Sequence, residues 1–540
     1  MMLALVFGAA MLAILGKLLY LAVSAAPVPP GDPAAGLLPP RGDIVDRNGQ
    51  PLARTVDGWS IAIHPTQVIN DKSELAGKLA ALFPDKNAAQ YFALLNSGSK
   101  FAWLRRRATS DQVSATNALG EPGIEFQHEP DRLYPQSTLA AHVLGYLNAA
   151  GHGGYGMEKV LDAQLTGTAG RGQPVALSLD VRVQAALENE LATAMAAFQA
   201  RGAAGVILDV HTGEVIAMVS LPNFNPNAIR GELPRNNVTQ SVYELGSTFK
   251  PVAVATAIDT GVVTSMARRF DATVPLEVGK FKIHDDRGDE QKRWLNIPET
   301  LVYSSNIATA RIVDEVGAER MQAMFRKLHF DRPIPIETEK AAPLWPNFWG
   351  RLTTMTTGYG HGIAVTPMHL ACAYAALVNG GIWRPATLLK TTPDHASQGT
   401  RIIGESTSLR MRQLLRLIVL RGTGKKGEAP GYRVGGKTGT AEIAQGGGYN
   451  RKSNVSTFAA AFPMDAPRYV VVAMLDSPIG NAQSFGLTTA AWTAAPVVGR
   501  VISRTGAMLG VVPDNRVDID ESELMPLIWT GPDPSKAGAE

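Results

Sequence analysis

The sequence predicts an α+β fold, its sheet assembled from strands far apart in the chain, preceded by an apolar N-terminal segment. Three observations carry this expectation. Gly205–Ser220, GVILDVHTGEVIAMVS, reads as two apolar strands joined through His211, Thr212 and Gly213. Much later, GYRVGGKTGTAEI (from Gly431) and STFAAAFPMDAPRYVVVAMLD (from Ser456) read as three more strands. Between the clusters, from about 241 to 420, the pattern is mainly helical, and strands at both ends with helices between favour one α+β domain.

The elements follow in order. Residues 1–26, MMLALVFGAAMLAILGKLLYLAVSAA, are apolar apart from Lys17, Ser24 and small neutral residues. At about 1.5 Å per residue they are long enough to cross a bilayer core of roughly 30 Å. This stretch exceeds the apolar core of a cleaved signal peptide and lacks its basic start, so a retained anchor is expected. Pro27–Pro40 holds six prolines in fourteen positions and reads as a stiff, extended spacer. RGDIVDRNGQPLA, from Arg41, predicts a hairpin turning at Asn48–Gly49. Residues from about 55 to 170 mix short helices and strands with no catalytic cluster, as a support or interaction module would. VALSLD then predicts a strand, with Asp180 capping a helix that stops before Gly202.

Composition narrows the function classes. With 540 residues, 51 basic and 48 acidic, the chain is multidomain and nearly neutral, without the concentrated basic stripe of a nucleic-acid surface. Cys372 is the only cysteine, so no intrachain disulfide or cysteine metal site can form; in LACAYAALV it is expected to be a buried thiol. The ten histidines show no paired ligand spacing, and no metal or cofactor is expected.

The chemistry-bearing pattern begins at Glu244, ELGSTFKPVAVATAID. Gly, Ser and Thr before an apolar run are ordinary helix-start residues. Pro251 fixes the register near a helix start, which puts Ser247 and Lys250 in the first turn on one face, beside the positive helix N-terminus. Spacing alone is weak, since Ser97–Lys100 has the same separation in a polar stretch. Two further elements change this. Ser304-Ser305-Asn306 is the only Ser-x-Asn in the chain, and Lys437-Thr438-Gly439, continuing to Thr440, is the only Lys-Thr-Gly. The order Ser-x-x-Lys, Ser-x-Asn, Lys-Thr-Gly is that of penicillin-binding proteins and class A β-lactamases.

In these motifs, and in RGDIVDRNGQPLA, DRLYPQSTLAAHVLGYLN, GYGMEKVLDAQLTG, VILDVHTGEVIAM, YELGSTFKP, YSSNIATA, GYGHGIAVTPMHLA and GGKTGTAE, nearly the whole chain resembles the class B penicillin-binding proteins. It is most like their septal, cell-division branch, the penicillin-binding protein 3 type, because the gap between Tyr146 and Gly156 is short. One departure is the basic tail that the family usually carries before its membrane segment. The resemblance implies a penicillin-binding/β-lactamase-like transpeptidase domain, an antiparallel sheet with a large helical subdomain, standing on an N-terminal pedestal behind one transmembrane helix. The expected division is an anchor over 1–26, a linker over 27–40, a pedestal over 41–170, the transpeptidase domain over 171–515 and a tail over 516–540. Arg41, Arg132 and Glu158 fall in motifs the family uses structurally, beneath the catalytic domain.

The residue types suit acyl transfer. A serine needs a base within reach, and Lys250 can serve only if burial and a neighbouring cation, here Lys437, lower its pKa from about 10.4. The expected roles are Ser247 as nucleophile on the D-Ala–D-Ala of a peptidoglycan stem peptide, Lys250 as base, Ser304 as proton relay and Asn306 as substrate and lysine holder. By resemblance, Lys437, Thr438, Gly439 and Thr440 bind substrate, Lys437 and Thr438 engaging its carboxylate, and the N–H groups of Ser247 and Thr440 form an oxyanion hole. The same resemblance implies inhibition by β-lactams, an inner-membrane site with a periplasmic domain, and division proteins and a polytopic glycosyltransferase as partners. An elongation-type transpeptidase, a D,D-carboxypeptidase and a penicillin-binding sensor or scaffold stay open. Other features are read blandly: Gly358–Pro367 as a glycine-supported cleft wall, and the RGD triplets at Arg41 and Arg287 as too short to signal cell adhesion; capping the next helix is an alternative role for Ser304, set below the relay.

Overall fold

The computed structural model describes residues 41–531 except 149, 168–171, 287 and 446–447, with a few helical positions between Gly8 and Lys17. The expected anchor and spacer therefore lie largely outside the described residues. Among the described residues, no helix is long and apolar enough to cross a membrane.

The described chain forms two compact units. The first is mainly Thr55–Asp131. Its helix Lys72–Leu82 starts at Asp71, whose carboxylate accepts from Glu74 N at 2.8 Å, and its helix Ala88–Leu95 starts in an Asn87/Gln90 capping box. Ile61, Ile63, Leu75, Leu79, Phe83, Tyr91, Leu95 and Leu104 form its core. Ser97 lies in the turn that ends the second helix, its exposed hydroxyl donating to Leu94 O at 2.7 Å. The Ser97–Lys100 spacing is thus a helix-end turn, with the serine hydroxyl committed to the backbone.

The second unit holds Asp43–Arg54, Arg132–Ala163 and everything from Pro174 on. The hairpin at Asn48–Gly49 forms as expected: Gly49 takes φ +85° and Ile44 pairs with Ala53. Ile44 also pairs with Val175, which ties this hairpin to the larger unit. The sheet comprises β1 (Gly202–Asp209), β2 (Val215–Leu221), β3 (Gly435–Gln445), β4 (Gly448–Phe462) and β5 (Tyr469–Asp476). Their order is β3-β4-β5-β1-β2, all antiparallel, so the N-terminal hairpin joins the three late strands through β5.

Strand β5 is buried at all eight positions because helices cover both its faces. On one side lie α1 (Val181–Ala197), capped by Asp180 as expected, and a C-terminal helix, Ala494–Thr505. Val183, Leu187, Val471, Phe458, Val498 and Ile502 interleave there. On the other side lies α4, introduced below. The helical block between β2 and β3 contains α2 (Lys250–Asp259), α3 (Asn306–Val316) and α4 (Pro367–Val378). Every residue of α4 is buried against the sheet, Cys372 included, and burial pushes its thiol up to about 12. The block is less purely helical than its pattern suggests. Arg269–Asp271 pairs with Trp294–Asn296, and Leu276–Val278 pairs with Phe281–Ile283. Three-residue strands are too short to show a period of two in the sequence.

Candidate active site

The Ser247 turn is built by close backbone approach. Gly246–Phe249 forms a 3-10 turn that runs directly into α2, with Pro251 at the second helical position. In 3-10 geometry residues three apart eclipse, which puts Ser247 and Lys250 on the same side. Gly246 sits at φ +55°, and a Cβ there would lie 2.9 Å from Thr440 O. Gly439 would likewise bring a Cβ within 2.3 Å of Leu245 O. The glycines of the two motifs thus let the edge strand β3 lie against the serine turn. From the other side, Gly360 (φ +81°) comes so close that a Cβ would lie 2.3 Å from Gly246 O, while Gly362 N donates to Glu244 Oε1 at 3.0 Å. The segment Gly358–Pro367 is a wall against this turn, as its sequence suggests, and Tyr374 of α4 donates to Thr248 O at 2.9 Å beneath it.

The Ser304 turn joins the short helix Ile297–Val302 to α3. Ser304 itself takes φ +59°, a left-handed conformation costly for a residue with a Cβ. The cap of α3 is not Ser304 but its neighbour: Ser305 Oγ accepts from Ala308 N at 3.0 Å. Ser305 in turn donates to Asp285 at 2.9–3.0 Å, and Ile307 N donates to Asp285 Oδ1 at 3.0 Å. With the cap supplied next door and its backbone strained, the Ser304 hydroxyl is turned toward the lysines.

Three of the expected residues meet there. Lys437 Nζ donates to Ser304 Oγ at 2.8 Å, and Lys250 Nζ donates to the same oxygen at 3.1 Å and to Ser304 O. Both lysines are fully buried, whereas Ser247 is 9% exposed at the surface of the cleft. Among the described residues the Ser247 hydroxyl makes no hydrogen bond. Lys437 also donates to Thr438 O at 3.0 Å, and Thr438 Oγ1 shares a 2.6 Å contact with Thr423 Oγ1. Thr440 Oγ1 accepts from Ala490 N at 3.1 Å. Among the described residues Asn306 makes no hydrogen bond to Lys250; its Nδ2 donates to His284 O at 3.1 Å and to Asp286 Oδ1 at 3.3 Å.

Electrostatics follows from this burial. Desolvation lowers Lys250 to about 8, against the opposing pull of Asp286, Asp285 and Asp289. Lys437 is held well below its ordinary value by desolvation first and by the Lys250 charge second. The like-charge repulsion between the two amines is mutual, each disfavouring the charged form of the other. Asp289 is raised by burial and by the Asp286 charge. An enclosed site with two amines cannot hold two full positive charges cheaply.

Comparison with known proteins agrees with this geometry. Residues 203–499 match the penicillin binding protein transpeptidase domain, and residues 37–184 match the penicillin-binding protein dimerisation domain. The chain belongs to the penicillin-binding protein transpeptidase family. Along 495 residues it is 40% identical to the probable peptidoglycan D,D-transpeptidase FtsI of Caulobacter vibrioides, covering 89% of this chain and 83% of that one. It is 28% identical over 521 residues to peptidoglycan D,D-transpeptidase FtsI of Escherichia coli, covering 90% and 86%. A crystal structure of penicillin binding protein 3 from Mycobacterium tuberculosis, complexed with aztreonam, aligns with a TM-score of 0.69 at 25% identity, over 89% of this chain and 99% of that one.

Within this penicillin-binding protein, sequence reasoning missed the acidic loop. Asp286 and Asp289 bear on both lysines and Asp285 on Lys250, yet the RGD triplet that includes Asp289 reads in isolation as chance. The available signal was their density, HDDRGD, shortly before Ser-Ser-Asn. Thr423, in Arg-Gly-Thr-Gly ahead of the Lys-Thr-Gly strand, carried no such signal.

Proposed function

We propose that this chain is a septal-type peptidoglycan D,D-transpeptidase that works through a Ser247 acyl-enzyme and is a β-lactam target. The observation that carries the reading is the Ser304 hydroxyl, within hydrogen-bond reach of both buried amines beside a serine whose own hydroxyl is uncommitted. The names of its relatives, peptidoglycan D,D-transpeptidases FtsI, support the reaction and the division role.

In this mechanism Ser247 attacks the penultimate D-Ala carbonyl of a stem peptide while neutral Lys250 takes the hydroxyl proton. The N–H groups of Ser247 and Thr440 receive the developing oxyanion, a role supported by the close approach of β3 to the Gly246 turn. Collapse releases the terminal D-Ala, which receives the proton from Lys250 by way of Ser304. An amine of a neighbouring stem then attacks the ester, giving the cross-link and restoring the serine. Lys437 lies too deep to meet a carboxylate directly, so it acts through its field while Thr438 offers the hydroxyl. Asn306, tied to the acidic loop, supports the turn and reaches substrate from there. β3 is an edge strand, and its unpaired rim suits an extended peptide.

The N-terminal apolar segment anchors the protein in the inner membrane, with the catalytic unit in the periplasm. The partners are division proteins and a polytopic glycosyltransferase that supplies strands. Labelled penicillin tests the chemistry: one adduct per chain is expected, lost in Ser247→Ala, and an adduct in that variant would overturn the nucleophile. Cross-linking of lipid-linked strands separates a transpeptidase from a sensor. Depletion should give filaments; round cells would assign the enzyme to elongation instead.

A further inference from the structure

The described part of the C-terminal segment, as far as Trp529, runs over the catalytic unit between the two elements that hold Ser304 and Lys437. Its first end is fixed beside the lead-in to β3. Asp514 N donates to Gly431 O at 2.9 Å, and Arg433 Nη1 donates back to Asp514 O at 3.3 Å. Arg416, 6% exposed, pairs with Asp518 through Nε and Nη2 (2.6 Å at the shortest) and donates to Val434 O at 2.8 Å, one residue before the strand begins. The middle follows the helix Glu405–Arg421, where Gln413 Nε2 donates to Asp520 O at 2.6 Å and Arg410 pairs with Glu523 at 2.9 Å.

The far end grips the helix Ile297–Val302, whose last turn leads into Ser304. The grip falls on the two residues of that helix's capping box: Asn296 Nδ2 donates to Leu527 O at 2.6 Å, and Glu299 Oε1 accepts from Trp529 N at 3.0 Å. Arg293 pairs with Glu299 at 2.8 Å and lies 5.4 Å from the Tyr303 ring and 5.6 Å from the Trp529 ring. Tyr303 adjoins Ser304 in the chain. A segment with only one short 3-10 turn, Met525–Leu527, holds these positions through side chains rather than by joining the sheet.

We infer that Asp514–Trp529 is a strap that positions the Ser304 turn against Lys437, so that residues outside the cleft set the acylation rate. The two elements meet directly at the Ser304 hydroxyl and both pack on the helix Glu405–Arg421, along which the segment is tied, and a shift of about 1 Å between them costs on the order of a hundredfold in a positioned reaction. Arg293 and Trp529 are positioning residues, since neither meets substrate. The inference rests on the proposed transpeptidase reading, and its test separates the two.

The full chain is acylated with a labelled penicillin, and binding is resolved from the acylation rate constant by varying the penicillin concentration. Trp529→Ala and Arg293→Ala are expected to lower that rate constant roughly tenfold or more, with one label still incorporated per chain and with Trp529→Phe restoring most of the rate. Amide exchange should rise across 300–309 and stay unchanged across 250–259. An unchanged rate constant in both alanine variants would overturn the strap, even if fewer chains are labelled, because loss of folded protein lowers the extent and not the rate. Failure of the unsubstituted chain to be labelled would instead defeat the transpeptidase reading.

Discussion

Lys437 Nζ donates to Ser304 Oγ at 2.8 Å across 133 residues of sequence. Lys250 reaches the same oxygen at 3.1 Å, so one hydroxyl couples two buried amines of opposite ends of the helical block. That shared acceptor is the most demanding feature of the site.

Removing it should separate chemistry from folding. Ser304→Ala is expected to lower penicillin acylation about a hundredfold or more, as loss of a proton relay does, while the fold persists. Ser304→Gly should be as inactive yet more stable than the alanine variant by about 1 kcal/mol, because φ +59° costs glycine nothing. Stopped-flow acylation and thermal unfolding of the two variants check this; a fast alanine variant would remove Ser304 from the chemistry.

The low Lys250 value makes two pH statements. Acylation should rise with pH through about 8 and level off above it, as the amine loses its proton. Stability moves in the same direction, because the unfolded chain keeps that proton up to about 10.5. The burial penalty is fully present below about pH 8 and is relieved as pH rises toward 10.5, on the order of 3 kcal/mol in all. Lys250→Met should therefore be inactive, more stable at neutral pH, and lack that part of the pH slope. Denaturant titrations between pH 7 and 10 provide the comparison, and a destabilised methionine variant would contradict it.

Two neighbouring glycines give a paired contrast. Gly360 and Gly362 have φ near +80°, so alanine is strained at either by about 1–2 kcal/mol. Only at Gly360 would the new Cβ press on the Ser247 turn, 2.3 Å from Gly246 O; at Gly362 the nearest atom is 3.8 Å away. Gly360→Ala should lose acylation by about ten- to a hundredfold, whereas Gly362→Ala keeps its rate constant despite reduced stability. Equal losses in both would show that the wall does not hold the turn.

Arg132 and Glu158 form a buried pair at 2.7 Å with side chains 2% and 0% exposed. Glu158→Ala should cost about 3–5 kcal/mol, since it strands a buried cation. Arg132→Met with Glu158→Leu should recover much of it, and neither change should alter the acylation rate constant per labelled chain. A rate change without a stability change would give the pair a role in the site.

Much of this was legible in the chain. The five strands, the capped helix at Asp180, the hairpin at Asn48–Gly49 and the ordered trio of motifs are each local: a period of two, a capping carboxylate, a turn dipeptide, a short string of residues. Two features were not legible, for one reason. The residue that caps α3 and the acidic loop beside Lys250 both depend on what lies next to a residue in space. The capping role passed to Ser305 because Asp285, twenty residues earlier, accepts its hydroxyl hydrogen bond.

By itself, then, the sequence determined which residues could carry acyl transfer and which elements would bear them, because propensity, periodicity and motif order act over short distances. Only the tertiary structure decided which of those residues share a proton. It brought Ser304 between Lys250 and Lys437, laid β3 against the Gly246 turn, and set an acidic loop over both amines. Those relations depend on burial and on glycine-sized clearances between chain-distant backbones, and no local stretch of sequence records either.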